Sequence, residues 1–259
     1  MADSIIIENT GAVRTITLNR PKAFNSFDRV MGAAFQTALD EAGRDDSVRC
    51  IVIKGEGRAF CAGQDLKEVT APDAPNFKII VEETYNQSIR RICSIKKPII
   101  AAVNGVAAGA GANIALACDL TIATESASFI QAFSKIGLIP DSGGTYWLPR
   151  LVGMQRAKAM AFFGNKVSSA EAEEMGLIYK SVADEDFASV VEKTATKLSG
   201  MPTLALGLTK AAFHEGLNSD LNEQLARELD YQFIAAESVD YAEGVASFLE
   251  KRAPEFKGK

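Results

Sequence analysis

Three stretches of this 259-residue chain hold residue types whose spacing could do chemistry. Residues 98–118 read P-I-I-A-A-V-N-G-V-A-A-G-A-G-A-N-I-A-L-A-C, with no charge between Lys97 and Asp119. The pattern predicts a buried strand over 98–103, a glycine turn, and a buried helix from about Gly111. Small residues let the turn approach another backbone closely. The N–H groups that open a helix lack partners and favour negative charge, the requirement of an oxyanion site. Residues 55–66, G-E-G-R-A-F-C-A-G-Q-D-L, follow a strand and form a second loop able to aim backbone amides at a ligand. Residues 136–145, I-G-L-I-P-D-S-G-G-T, place Asp141 beside apolar Leu138, Ile139, Tyr146 and Trp147. A carboxylate so placed is partly desolvated, which raises its pKa and suits it to proton abstraction.

Each stretch also has a plainer reading. The glycines would serve close packing alone, the uncharged run would span a membrane, and Asp141 would cap a helix starting near Ser142 or Gly143. No nucleotide-phosphate motif is present in the 55–66 loop. His214 is the only histidine, which removes multi-histidine metal sites and most Ser-His or Cys-His nucleophiles. It lies near a helix end, where a solvated or capping role is expected. Trp147 reads as core or as an aromatic wall for a ring substrate.

The elements that must position these residues alternate. Strands are expected at 5–8 and 13–18, joined by a hairpin, and at 48–54 and 119–123, with a further short one at 127–130 and another at 178–182. Helices are expected from Asp28 to about Ala42, over 77–94, over 154–163, and after a Ser168…Glu171 capping box. From residue 187 onward the chain reads as helix only: 187–199, 203–213, 221–236 and 241–251. Two parts follow from this change of character, an α/β core over 1–195 and a helical region over 196–259.

Composition bounds the function. There are 28 basic and 33 acidic residues, a net charge of −5, so no nucleic-acid footprint appears. Arg90, Arg91, Lys96 and Lys97 form a basic cluster, expected to be a solvated face. Cys50, Cys61, Cys93 and Cys118 are widely spaced and read as reduced thiols of a cytoplasmic protein. The first residues, M-A-D-S-I-I-I-E, lack the basic start of a signal peptide.

Taken together, N-R-P-K-A-F-N-S (19–26), F-C-A-G-Q-D-L (60–66), N-G-V-A-A-G-A-G-A-N (104–113), I-G-L-I-P-D-S-G-G-T and L-P-R (148–150) resemble the crotonase family, the enoyl-CoA hydratase/isomerases. The resemblance runs over essentially the full length. It implies a spiral of ββα turns with C-terminal helices, assembly as a homotrimer or dimer of trimers, and an acyl-CoA substrate whose enolate is stabilised with no separate cofactor or metal. It also implies Ala62 and Ala110 as main-chain oxyanion donors and Asp141 as the proton carrier. Lys22, Ala23, Phe24, Gly63, Gln64, Asp65 and Leu66 would line the CoA path, with Gly109, Asn113 and Phe133 shaping the acyl pocket.

Hydratases of the family carry glutamates where this chain has Asn113 and Phe133, so the resemblance favours isomerisation by a single carboxylate. It is strongest toward a bacterial subgroup of isomerases that act on ring-epoxide CoA thioesters in phenylacetate breakdown. Three alternatives stand beside it. A hydratase would pair Asp141 with Glu68 or Glu83, a dehalogenase would need a histidine base, and a silent acyl-CoA binder would need neither.

Overall fold

The computed structural model describes residues 3–259. Among the described residues ten strands succeed one another: β1 (Ile5–Thr10), β2 (Val13–Leu18), β3 (Cys50–Gly55), β4 (Ala59–Cys61), β5 (Ile99–Val103), β6 (Val106–Ala108), β7 (Leu120–Thr124), β8 (Ser128–Ile130), β9 (Lys166–Ser168) and β10 (Lys180–Val182). They divide into a six-stranded sheet, ordered β1-β2-β3-β5-β7-β10, and a four-stranded sheet, ordered β4-β6-β8-β9. The division is regular. β3, β5 and β7 pair in parallel in the large sheet, and each is followed within a few residues by a three-residue strand of the small sheet. The chain thus winds through both sheets once per turn, the expected ββα spiral.

Alternation explains why both faces of the large sheet are covered. Ile51 and Ile53 of β3 and Ile99, Ala101 and Val103 of β5 face one core. Cys50, Val52, Ile100 and Ala102 face the other. Period-two burial on both faces produces fully apolar strands. The first core is closed by α1 (Arg29–Arg44), which presents Met31, Phe35, Ala38, Leu39 and Ala42 at helical spacing. Asp28 caps α1, accepting from the Met31 N–H at 2.8 Å.

Two short helices follow β4: α2 (Leu66–Val69) and α3 (Phe77–Ile79). From α3 the helix continues through a π-helical stretch, Ile80–Asn86, into α4 (Gln87–Ser94), which together fill the helix expected over 77–94. The predicted glycine-turn helix is α5 (Ala110–Ala117), in which every residue is buried. The segment expected as a glycine turn before it holds a further strand, β6. Beyond β8 comes α6 (Gly144–Phe163), longer than the expected 154–163 because a second helical piece precedes a kink at Gly153. The capping box on Ser168 and Glu171 forms and opens α7 (Ser169–Glu174).

The second face of the large sheet is closed by α8 (Phe187–Ser199), which places Val191 and Ala195 against Val52 and Ala102. The expected division at residue 195 therefore falls inside a helix that belongs to the sheet. α9 (Thr203–Gly216), α10 (Leu221–Ala236) and α11 (Val239–Glu250) complete the chain. Among the described residues no helix is long and apolar enough to cross a membrane.

Candidate active site

The two amide-bearing loops meet. Gly111, in the first turn of α5, has no room for a side chain: a Cβ there would lie 2.3 Å from Cys61 O and 2.7 Å from Cys61 Sγ. Gly63 adopts φ +90°, and a Cβ on it would lie 3.0 Å from Ala108 O and 3.5 Å from Ala110 N. Glycine at these two places is what brings residues 61–64 and 108–111 into backbone contact.

Which amides remain available is a matter of accounting. Gly109 opens α5, and its own N–H donates to Ile130 O at 2.8 Å. The Ala110 N–H, at the first helical position, has no acceptor among the described residues. Ala62 does not meet its expectation. Its N–H donates to Phe24 O at 3.0 Å and is not free for a ligand. Two residues on, the Gln64 N–H has no acceptor among the described residues.

Its direction is set by the bridge between Gln64 and Phe27. Phe27 N–H donates to Gly63 O at 2.7 Å and Asp65 N–H donates to Phe27 O at 2.8 Å. A trans peptide holds its C=O and N–H on opposite sides, so the Gln64 N–H points away from Phe27. Among the described residues, Gln64 and Ala110 thus each carry an open donor, on segments that touch.

Asp141 is half-buried in the turn before α6. It does not cap that helix. Gly143 occupies the N-cap position without any side-chain hydrogen bond, which removes the plainer reading. Ser142 takes a left-handed φ of 51°, an uncommon conformation for a non-glycine residue, and its hydroxyl donates to Asp141 Oδ1 at 2.8 Å. Burial raises the Asp141 carboxyl above its ordinary range, and the Ser142 hydroxyl offsets part of that rise.

Asn113, one turn into α5, ties this loop to the turn that opens α5. Its Nδ2 donates to Asp141 O at 2.8 Å, and its Oδ1 accepts from Gln131 Nε2 at 2.8 Å. Asn113 is fully buried, so it fixes the loop and does not line an open pocket. The Phe133 ring lies against Gly109, 3.7 Å from where a Cβ would stand.

The remaining expected residues divide. Phe24, with φ 52°, exposes its ring beneath the Arg58 guanidinium, 4.4 Å from the ring centre. Lys22 and Leu66 are exposed, and Ala23 is half-buried. The Asp65 carboxylate is engaged by Arg20 at 2.7 Å and caps α2 through the Lys67 N–H. Glu68 accepts from Arg29 and Gln64, at 3.0 Å in each case, while Glu83 is exposed.

The basic cluster disperses: Arg90 pairs with Glu82, Arg91 with Asp40, and the buried Lys97 ammonium donates to Ala42 O and Asp45 O. His214, expected to be solvated or capping, is half-buried in the last turn of α9. Its ring packs 5.3 Å from Trp147, and burial lowers its pKa.

This fold and these loops define a class. A family description for enoyl-CoA hydratase/isomerase matches residues 8–259, and the chain belongs to that family. Among curated relatives, the 1,2-epoxyphenylacetyl-CoA isomerase of Escherichia coli K12 is 47% identical, with 100% of both chains covered. A probable enoyl-CoA hydratase of Rhodobacter capsulatus is 45% identical over 99% of this chain and 98% of its own. Among solved structures, an enoyl-CoA hydratase from Bacillus anthracis superposes with TM-score 0.93 at 33% identity, covering 99% of this chain and 100% of its own.

Proposed function

We propose that this protein is a CoA-thioester isomerase that works with one carboxylate and two main-chain donors. The Asp141 carboxylate takes a proton from the carbon beside the thioester carbonyl of a 3-enoyl-CoA. The electron pair moves onto the thioester oxygen, where the Gln64 and Ala110 N–H groups receive it. Collapse of the enolate returns the proton, carried by Asp141, to the γ carbon and leaves a 2-enoyl-CoA. Preorganised donors aimed at developing charge are worth most in a site that excludes water. The observation that carries this reading is the half-buried Asp141, tied through its backbone carbonyl to Asn113 of α5, and the family resemblance adds that the two hydratase glutamates are replaced here by Asn113 and Phe133.

The relative from Escherichia coli supports a narrower substrate, the 1,2-epoxide of phenylacetyl-CoA, for which enolate stabilisation and a single proton carrier would also serve. The test is Asp141→Asn, assayed for conversion of 3-enoyl-CoA to 2-enoyl-CoA and on the epoxide thioester. A loss of at least about a hundredfold in kcat is expected. Retention within about tenfold, roughly 1.4 kcal/mol of barrier, would remove Asp141 from the mechanism.

A second reading, hydration, is favoured by the 45% identity to a probable hydratase. It would need a partner for Asp141, and the Glu68 carboxylate is already engaged by Arg29 and Gln64. Crotonyl-CoA in labelled water decides between them: efficient formation of labelled 3-hydroxyacyl-CoA would favour the hydratase.

A further inference from the structure

Tyr85 is a large, fully buried side chain in the π-helical stretch, a backbone feature often found at functional sites. Its hydroxyl donates to Gln64 Oε1 at 2.9 Å. Its ring packs 6.0 Å from that of Phe27. Tyr85 therefore touches both members of the Phe27–Gln64 bridge, the contact that aims the Gln64 N–H. The Gln64 side chain is held at its other end too, where Nε2 donates to Glu68 Oε2 at 3.0 Å and Glu68 in turn accepts from Arg29. The chain Tyr85–Gln64–Glu68–Arg29 runs from the core to the surface directly behind the oxyanion loop.

We propose that Tyr85 is a positioning residue that fixes the Gln64 peptide in its donor orientation. This rests on the reading of Gln64 and Ala110 as the oxyanion donors. The hydroxyl is suited to the role. Burial, with acidic neighbours including Asp141, raises its pKa well above the ordinary range, so it remains a donor throughout physiological pH. The π-helical turn sets the register: it delivers the Tyr85 ring to Phe27 and the hydroxyl to Gln64 together. A donor displaced by a fraction of an ångström loses much of its worth only as charge develops, so the effect belongs to kcat and not to KM.

The experiment uses Tyr85→Phe, which keeps the ring against Phe27, and Gln64→Met, which keeps the Gln64 peptide and removes its side-chain acceptor. Two readouts are taken on the full chain. The first is binding of 4-dimethylaminocinnamoyl-CoA, a chromophoric thioester whose absorption moves to longer wavelength as its carbonyl is polarised. The wild type is expected to produce the red shift. Tyr85→Phe should produce a smaller one with Kd unchanged within about twofold. The second is kcat for the isomerase reaction, expected to fall about tenfold with KM unchanged, and to fall no further when Tyr85→Phe is added to Gln64→Met.

A full red shift in Tyr85→Phe, or effects of the two substitutions that simply add, would overturn the role for Tyr85 and leave the oxyanion assignment standing. No red shift in the wild type would overturn the assignment itself, and with it this inference.

Discussion

At the scale of single residues, the demand on Asp141 has a measurable consequence for stability. Burial raises its carboxyl above the ordinary value of 3.8, so the folded chain holds that proton to higher pH than the unfolded chain does. As pH rises from the unfolded value through the folded one, the native state loses stability, and at neutral pH it carries the whole cost of a poorly solvated anion. Asp141→Asn removes the charge and keeps an oxygen for the Ser142 hydroxyl. The variant should melt higher than the wild type at pH 7, by roughly 1–4 °C for a chain of this size. The gap should narrow as pH falls toward 4, and calorimetry at the two pH values checks it. A gap of the same size at both would mean that the charge is not its source. If Asp141 is the proton carrier proposed above, only its carboxylate form accepts a proton, and kcat/KM should fall on the acid side at a pH above the ordinary aspartate range.

At the scale of elements, the site depends on how closely α5 approaches the loop after β4. Gly111→Ala forces a methyl group to within 2.3 Å of Cys61 O unless the backbone moves. Overpacking of this kind costs about 1–3 kcal/mol, and a movement of about 1 Å between donors costs on the order of a hundredfold in rate. Melting temperature and kcat should therefore fall together, with the loss in kcat larger than the stability change alone implies. A folded variant with kcat within threefold of wild type would show that the donors do not require this contact.

Much of this arrangement was legible beforehand, because glycine spacing reports close backbone approach and the uncharged run of 98–118 reports burial. The capping residues Asp28 and Ser168 and the helix over 77–94 were legible for the same local reasons. Which amide is free was not legible. Ala62 and Gln64 lie two residues apart in one loop, and only the tertiary partners Phe24 and Phe27 decide which N–H is left over. Tyr85 lies within the helix expected over 77–94, and no local pattern marks it, since its hydroxyl finds a partner 21 residues away in sequence. β6 was not legible either, because three residues of a second sheet leave no periodic pattern.

At the scale of the whole molecule, the C-terminal helices leave much of their apolar surface open in the single chain. α10 has no buried residue in its sixteen. Leu221, Leu225, Leu229 and Phe233 fall at successive four-residue steps, and each is more than half exposed. Phe213 of α9 and Phe248 and Leu249 of α11 are exposed as well, and a hollow of about 750 Å³ lies between α10, α11 and the tail near Phe256. Exposed apolar stripes of this length are the kind of surface that protein partners cover. We propose that α9, α10 and α11 with the tail that follows form the assembly region and that the protein is a homotrimer or a dimer of trimers. Light scattering at micromolar concentration should give three or six copies. Leu229→Glu should lower that number while circular dichroism stays unchanged, because a side chain 70% exposed in the single chain supports little of its own fold. A wild type that scatters as a monomer, or a Leu229→Glu variant that assembles as the wild type does, would mean that the stripe serves some other partner.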